Sequence, residues 1–485
     1  MTFIDATVVN VALPALQADL HASITDVQWV IEAYALFLGA LILVGGSMGD
    51  LFGRKRVFLV GVVFFTTASV LCGVANSPRA LVVGRGLQGI GAAFLVPGSL
   101  AIISAAFDEG QRGRAIGAWS GFSAITTAIG PVSGGWLVEH VSWRAVFFLN
   151  VPLAVLVLVL SLRFMSESRD PSRTTQIDWT GAALAVLGLG GVVFGLLEWP
   201  PLGTGHPLVA GALAIGVVSL LLLVIVERRV RSPMLPLTLF HSRTFTLANL
   251  LTLLLYAALG VVLFLVPLNL IQIQHYTPTA AGAALLPFPI IMFSLSRWSG
   301  ALVARTGSRL PLTIGPAIAA LGLALYARPG IGGSYWTTFF PAVIVLGLGM
   351  AITVAPLTTT VMSAVNSSHA GVASGVNNAV ARVAGLLAIA VFGVVLTRTF
   401  EARVRPRVDY LPLSESARGD VFRELPKMAG VDLAAAPSVQ PRDRIQVRAI
   451  IDEGFVFAFR LVMLGAAGLA LTAAAFGNGI RPDSI

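Results

Sequence analysis

Cysteine is all but missing from this chain. One residue in 485, Cys72, carries a thiol, which excludes a disulfide framework and a cysteine-based metal site. It lies in an apolar run and reads as a small buried hydrophobe. Lysine is nearly as scarce. Lys55 and Lys427 are the only two, and neither follows the Gly-x-x-x-x-Gly spacing of a phosphate-binding loop, so the chain shows no means of hydrolysing ATP. Charge is thin throughout: 32 Lys and Arg with 23 Asp and Glu make up 11% of residues, against roughly 25% in soluble domains. A soluble chain of this length would form two or three domains with well-charged surfaces. That composition excludes a soluble multidomain protein, a disordered chain and a nucleic-acid binder.

Apolar length is what the sequence has in abundance, with 56% hydrophobic residues. A membrane helix needs about 20 apolar residues to cross ~30 Å of hydrocarbon. Uncharged runs of that length recur, and they predict fourteen spans at roughly 1–18, 28–48, 57–77, 81–106, 115–138, 145–164, 178–197, 207–226, 245–270, 279–304, 310–327, 335–361, 371–396 and 454–476. The fold class is therefore an all-α membrane protein. The first span starts at Met1 with no basic flank and no cleavage site, so it does not read as a signal peptide. Some native residues are expected to precede it.

Lys and Arg in short loops set the orientation. With the amino terminus inside, the inner loops carry fourteen: Arg54, Lys55, Arg56, Arg112, Arg114, Arg163, Arg169, Arg173, Arg228, Arg229, Arg231, Arg243, Arg305 and Arg309. The short outer loops carry three, Arg79, Arg144 and Arg328. This asymmetry also accounts for the +9 net charge without a nucleic-acid partner. The stretch 398–453 holds ten basic and nine acidic residues and falls outside. It reads as a tolerated polar insertion with some helix.

The chain repeats itself. Gly46-Ser-Met-Gly-Asp50-Leu-Phe-Gly53-Arg54-Lys55 and Gly300-Ala-Leu-Val-Ala304-Arg305-Thr-Gly307-Ser-Arg309 share one pattern after the second and tenth spans. With the seventh and eighth spans set aside, the two loops hold the same place in two six-helix halves. Parallel repeats of this kind typify transporters with a midplane site between halves. The boundaries are 1–164 for the first bundle, 165–243 for two added spans with linkers, and 244–485 for the second bundle with its long outer loop.

Physical chemistry assigns tasks to several positions. In the inner loop, Gly46, Asp50, Gly53, Arg54 and Lys55 combine a tight turn with an acid and bases that can bridge helices or bind a helix terminus; such contacts would hold a cytoplasmic gate, while topology alone is the plainer reading. In the fifth span, Gly130, Pro131, Gly134 and Gly135 place proline inside a helix beside small residues four apart. This makes a hinge or sliding surface, or else tight static packing. Ionisable groups in hydrocarbon cost several kcal/mol and usually have a partner or a task. Asp5 lies ~20 Å deep by the helical rise. Glu32 and Arg85 lie at similar depth in the second and fourth spans, which predicts a pair. A carboxylate whose arginine partner moves would bind and release a proton, so Asp5, Glu32 and Arg85 are the proton-coupling candidates. The plainer readings are a structural hydrogen bond for Asp5 and snorkelling near Trp29 for Glu32. Arg297 and Arg460 are expected to snorkel. Asn10, Gln88, Phe264, Asn269, Phe288, Asn377 and Arg382 are cavity candidates. His21, His140, His206, His241, His275 and His369 all fall in predicted loops or span edges, which supports neither a histidine relay nor a metal site.

Six segments in order resemble the major facilitator superfamily, in its fourteen-span drug/proton antiporter branch. They are Asp5–Pro14, Gly46–Arg56, Arg85–Gly89, Gly130–Gly135, Ser142–Pro152 and Ala370–Asn378 with Arg382. The resemblance covers nearly the whole chain. It implies two six-helix bundles with an extra central pair, alternating access, a gating role for the inner loop, and export rather than import from the fifth-span motif. It implies a small amphiphilic or cationic cargo, protons as the only co-transported species, no cofactor and a monomer in lipid. Leu51 stands where the family usually has arginine, Thr126 where the fifth-span motif often begins with glycine, and Ala304 where the second loop would need an acid, so that loop's latch should be weaker. A dedicated metabolite exporter or proton-coupled importer on the same scaffold remains open. A polytopic membrane enzyme would need paired acids or a His/Asp cluster in a loop at the membrane face; the short loops offer none, and only the 398–453 excursion is large enough to hide one.

Overall fold

A computed structural model describes residues 1–106, 109–169, 177–203, 205–230, 233–365 and 370–480. The described residues form helices with short connections. In chain order these are α1 Thr2–Asp19, α2 Ile24–Phe52, α3 Arg54–Gly73, α4 Pro78–Ala106, α5 Glu109–His140, α6 Ala145–Phe148, α7 Asn150–Phe164, α8 Trp179–Leu202, α9 Pro207–Glu227, α10 Arg243–Leu268, α11 Pro278–Ala284, α12 Pro287–Thr306, α13 Arg309–Leu325, α14 Phe339–Ser363, α15 Ala370–Asp409, α16 Glu415–Glu424 and α17 Pro441–Asn478. Among the described residues, eleven helical segments are long and apolar enough to cross a membrane, and Arg309–Leu325 is apolar but shorter.

Local chemistry sets the ends. Ser23 caps α2 by accepting from the Asp26 N–H at 3.1 Å while Asp26 accepts from the Ser23 N–H at 2.9 Å, a reciprocal capping box. Two glycines stop helices in equivalent places. Gly53 follows α2 with φ +111°, and Gly307 follows α12 with φ +71°, a region that favours glycine because it lacks a Cβ. The repeat seen in the sequence is thus also a repeat of backbone conformation.

The bundles use their apolar faces in two directions. Inward residues such as Val8, Leu13, Phe65, Phe147, Phe245 and Phe459 are nearly inaccessible. Outward residues such as Val155, Leu156 and Val159 on α7 and Ile215 and Leu221 on α9 are more than half exposed, the pattern of a lipid-facing surface. α8 and α9 pack on each other. α8 also lies on both α2 and α15, where Leu36 and Ala40 share one cluster with Ala185, Leu189, Val193, Leu386 and Ala390. The added pair therefore sits over the seam between the bundles.

The 398–453 segment departs from expectation. α15 runs for 40 residues and α17 for 38, about 60 Å each by the helical rise. Both outrun the bilayer. Between them, α16 and short turns at Leu425–Gly430 and Leu433–Ala435 fold back as a cap. Val404, Val408, Val421, Leu425, Met428, Val447 and Ile451 are buried in the same apolar cluster as the bundle residues. Its regular apolar spacing, diluted by charge in the sequence, makes it an extension of the core and not a loose insertion.

α5 meets α11 across the bundles with almost no clearance. A Cβ on Gly135 would stand 2.6 Å from the Pro278 carbonyl carbon, and one on Gly282 would stand 2.6 Å from that of Pro131. Overpacking a tight contact costs about 1–3 kcal/mol. Gly282→Val should therefore lower the thermal unfolding midpoint of the purified protein by several degrees, while Gly211→Val, where nothing lies within 4 Å of a Cβ, should leave it in place. Equal midpoints for the two variants would contradict the contact.

Candidate functional site

One polar node lies deep in the first bundle. Arg85 on α4 reaches Asp5 on α1 through Nη1 at 2.7 Å. The same nitrogen donates to Gln88 Oε1 at 2.7 Å, and Nε donates to the Val30 carbonyl at 2.9 Å. Gln88 Nε2 donates to Asp5 Oδ1 at 2.8 Å, and Asn150 Nδ2 donates to the same oxygen at 3.1 Å. Asn150 also donates to Ser69 Oγ at 3.0 Å, and Ser69 donates to the Phe147 carbonyl at 2.8 Å. The Tyr34 ring lies under the guanidinium, 4.4 Å from its carbon. Asp5, Arg85, Gln88 and Asn150 are each no more than 1% exposed.

The fold supplies each member for a reason. Helices α6 and α7 run on through Leu149, which keeps helical torsions of φ −53° and ψ −31° and donates its N–H to the Ala145 carbonyl at 3.0 Å. Pro152 has no N–H to give the Phe148 carbonyl, and the first turn of α7 seats Asn150 facing Asp5. Gly89 lets α4 approach α2, since a Cβ there would lie 2.5 Å from the Tyr34 carbonyl oxygen. A buried ion pair persists only where its remaining lone pairs and protons are satisfied, and the amides of Gln88 and Asn150 do that here.

Glu32 does not pair with Arg85. Residues 32 and 34 point about 200° apart on a helix, so α2 turns Tyr34 toward Arg85 and Glu32 away. Glu32 is flanked one turn before by Gln28, which fits against Gly393, and one turn after by Leu36 against Gly190. It therefore belongs to the seam of α2, α8 and α15. It is 0% exposed, which rules out snorkelling in this conformation, and neither carboxyl oxygen has a hydrogen-bond partner among the described residues. Trp29, its expected surface neighbour, instead donates to Glu198 on α8 at 2.9 Å.

The cavity candidates scatter. Gln88 joins the node. Asn10 is half-buried and donates to the Ala6 carbonyl of its own helix at 3.3 Å. Asn377 bridges α15 to α10 by donating to Thr252 Oγ1 at 2.7 Å and Asn249 Oδ1 at 3.1 Å. Arg382 is half-buried on α15, with its Cβ opposite Gly39 of α2. Phe288 is half-buried against the main core. Phe264 and Asn269 are corrections to the expected lining. Phe264 is 3% exposed and packs with Ile389, Phe392 and Leu396 of α15. Asn269 is 2% exposed and accepts from Gln274 at 3.2 Å in a π turn at Asn269–Ile273. Neither offers surface to a solute here. Arg460 donates to the Pro329 carbonyl at 3.0 Å instead of snorkelling, while the side chain of Arg297 and all of His369 lie outside the described residues.

The inner loop makes the following contacts among the described residues. Arg54 meets Asp50 at 2.9 Å, and Lys55 Nζ donates to the Met165 carbonyl at 2.5 Å. Glu167 accepts from the Lys55 N–H at 3.0 Å and the Arg56 N–H at 3.3 Å, an acid at a helix N-terminus. Gly46 faces Pro97 of α4. In the equivalent second loop, Arg309 donates twice to Asn478 at the end of α17, at 2.7 and 3.1 Å. Each loop thus reaches the last helix of its own bundle. Sequence reasoning missed Glu167, Asn150, Ser69 and Tyr34; only the spacing of Asn150 to Pro152 hinted at one of them.

The fifth-span motif divides its contacts. Gly130 faces Thr7 and Gly134 faces Val8, both on α1, while Pro131 and Gly135 face α11. Glu139 accepts from the Thr279 N–H at 3.2 Å across the same seam. One helix therefore touches a partner in its own bundle with one face and the opposite bundle with another.

Comparison with known proteins agrees with this architecture. The sequence profile of the Major Facilitator Superfamily matches residues 1–389. The multidrug resistance protein Stp of Mycobacterium tuberculosis (strain CDC 1551 / Oshkosh) is 34% identical over 473 residues, covering 96% of this chain and 86% of its own length. The tetracenomycin C resistance and export protein of Streptomyces glaucescens is 33% identical, covering 100% and 90%. The puromycin resistance protein of Streptomyces alboniger is 38% identical, covering 82% and 79%. Among solved structures, a bacterial homolog of the human lysosomal transporter Spinster aligns with a TM-score of 0.67 at 17% identity, covering 100% of this chain and 96% of that one. That identity speaks to the fold alone. With the profile spanning most of the chain and the relatives aligned along it, the chain belongs to the Major Facilitator Superfamily.

Proposed function

We propose that this multi-pass membrane transporter exports small amphiphilic or cationic compounds in exchange for protons, by alternating access in the cell membrane. We read its helical segments as fourteen crossings, with 1–164 and 244–485 as the moving halves and 165–243 between them. The names of its relatives, which concern resistance and export, support the direction and the cargo class. The observation that carries the coupling reading is the Asp5–Arg85 pair, 2.7 Å long and sealed from water. In this conformation Asp5 is held by Arg85, Gln88 and Asn150. Movement of α1 against α4 removes those donors, and the carboxylate then takes a proton. Return of Arg85 expels it. Glu32, buried at the seam between the halves with no hydrogen-bond partner among the described residues, is the second carboxyl that such a movement would expose. No cofactor enters this scheme beyond the transported proton, and one chain in lipid suffices.

In inside-out vesicles, a proton gradient should drive uptake of a fluorescent cation, and a protonophore should abolish it. Gradient-independent turnover of a lipid would instead indicate an enzyme. Asp5→Asn leaves Arg85 buried and unpaired, a change worth about 3–5 kcal/mol, and should remove gradient-driven uptake. Glu32→Gln should weaken driven uptake while sparing downhill exchange. If both variants drive uptake normally, neither acid couples. Arg85→Ala should reduce turnover far more than membrane abundance; equal losses would assign it a purely structural role.

A further inference from the structure

The cap is tied to both halves through a single side chain. Gln17, near the end of α1 in the first half, is 1% exposed. Its Nε2 donates to the Lys427 carbonyl of the cap at 3.1 Å, and its Oε1 accepts from Gln272 Nε2 of the second half at 2.7 Å. Gly430 passes so close that a Cβ there would lie 2.7 Å from Gln17 Oε1 and 3.1 Å from Gln272 Nε2. Arg448 on α17 closes the other side. It donates to the Val431 carbonyl at 3.1 Å and the Gln272 carbonyl at 3.0 Å, and pairs with Asp452 at 2.9 Å. The turn also holds Met428 at φ +52° while burying it, a conformation a side-chain-bearing residue keeps only when its surroundings enforce it.

These contacts cross a cleft of about 420 Å³ between the halves, open on one side where Ala18 and His275 are exposed. Val11, Pro14 and Ala15 of α1 form one wall, and Gln272, Gly430 and Arg448 form another. We infer that Lys427–Val431 is an outer latch, which holds the two walls of this cleft together while Gln17 is engaged and must let go before the transporter opens outward. The inference rests on the alternating-access reading. The cap travels with the second half because its two ends are α15 and α17. Gln17 travels with α1. Separation of the halves therefore breaks both amide bonds of Gln17 at once. Water can replace each of them, so the net change per bond is small, which suits a contact made and broken every cycle.

Because Cys72 is the only cysteine, Cys72→Ser gives a clean background. Ala15→Cys then reports the cleft to a membrane-impermeant maleimide added outside intact cells. Gln272→Ala and Gly430→Ala should each raise the labelling rate about fivefold, the effect of losing one ordinary hydrogen bond. Cross-linking Gln17→Cys to Gly430→Cys should stop export until a reductant is added. Unchanged labelling in both alanine variants at normal abundance, or full export by the cross-linked protein, would overturn the latch. Should Gly430→Ala fail to accumulate, Gln272→Ala decides alone. Labelling needs no transported compound, so failure of the export reading shows up separately, as absent uptake in the unmodified chain.

Discussion

A guanidinium removed from water is the constraint around which the first bundle is organised. Stripping hydration from Arg85 and Asp5 is expensive, and their mutual attraction repays it only when the pair's own remaining polar atoms are engaged by neighbours. The arrangement of α1, α2, α3, α4 and α7 meets that demand. Each contributes at least one group to the node: Asp5, the Val30 carbonyl with the Tyr34 ring, Ser69, Arg85 with Gln88, and Asn150. The second bundle answers a milder demand. Its interhelix polar bridge between α15 and α10 is neutral, made of Asn377, Asn249 and Thr252. The two halves repeat a fold without repeating its electrostatics: the fully buried Asp5–Arg85 ion pair lies in the first.

The contacts between halves differ in kind along the molecule. At the α5–α11 seam, glycines bring backbones together, and the Thr279 N–H donates to Glu139. At the α2–α15 seam, α8 lies over both partners. Near the cap, amide groups close the gap. Apolar contact that slides, a bridging helix and polar ties that exchange with water are three ways to join bodies that must also part.

Much of this was legible in the residues. Apolar run lengths gave the helices, and the loop pattern ending in Gly53 and Gly307 announced a repeat in which both helices stop at a positive-φ glycine. Asp5 and Arg85 stood out because charge is rare in such runs. Their partnership did not, because depth along a helix says nothing about azimuth: Glu32 and Tyr34 differ by two positions and face opposite ways. Glu167 was hidden for another reason, since an acid in a charged linker carries no periodic signal. The cap misled most. Its charged exterior masks buried positions such as Val404, Val421 and Ile451, which only the return of the chain between α15 and α17 brings into one core.

The continuity of α15 and α17 from the inner end to the cap has a mechanical consequence. A rigid rod pivoting by 10° at Arg382, about 40 Å from the outer end of α15, would carry that end about 7 Å sideways, more than one helical pitch. The outermost part of the protein then forms the long arm of a lever whose fulcrum lies in the bilayer.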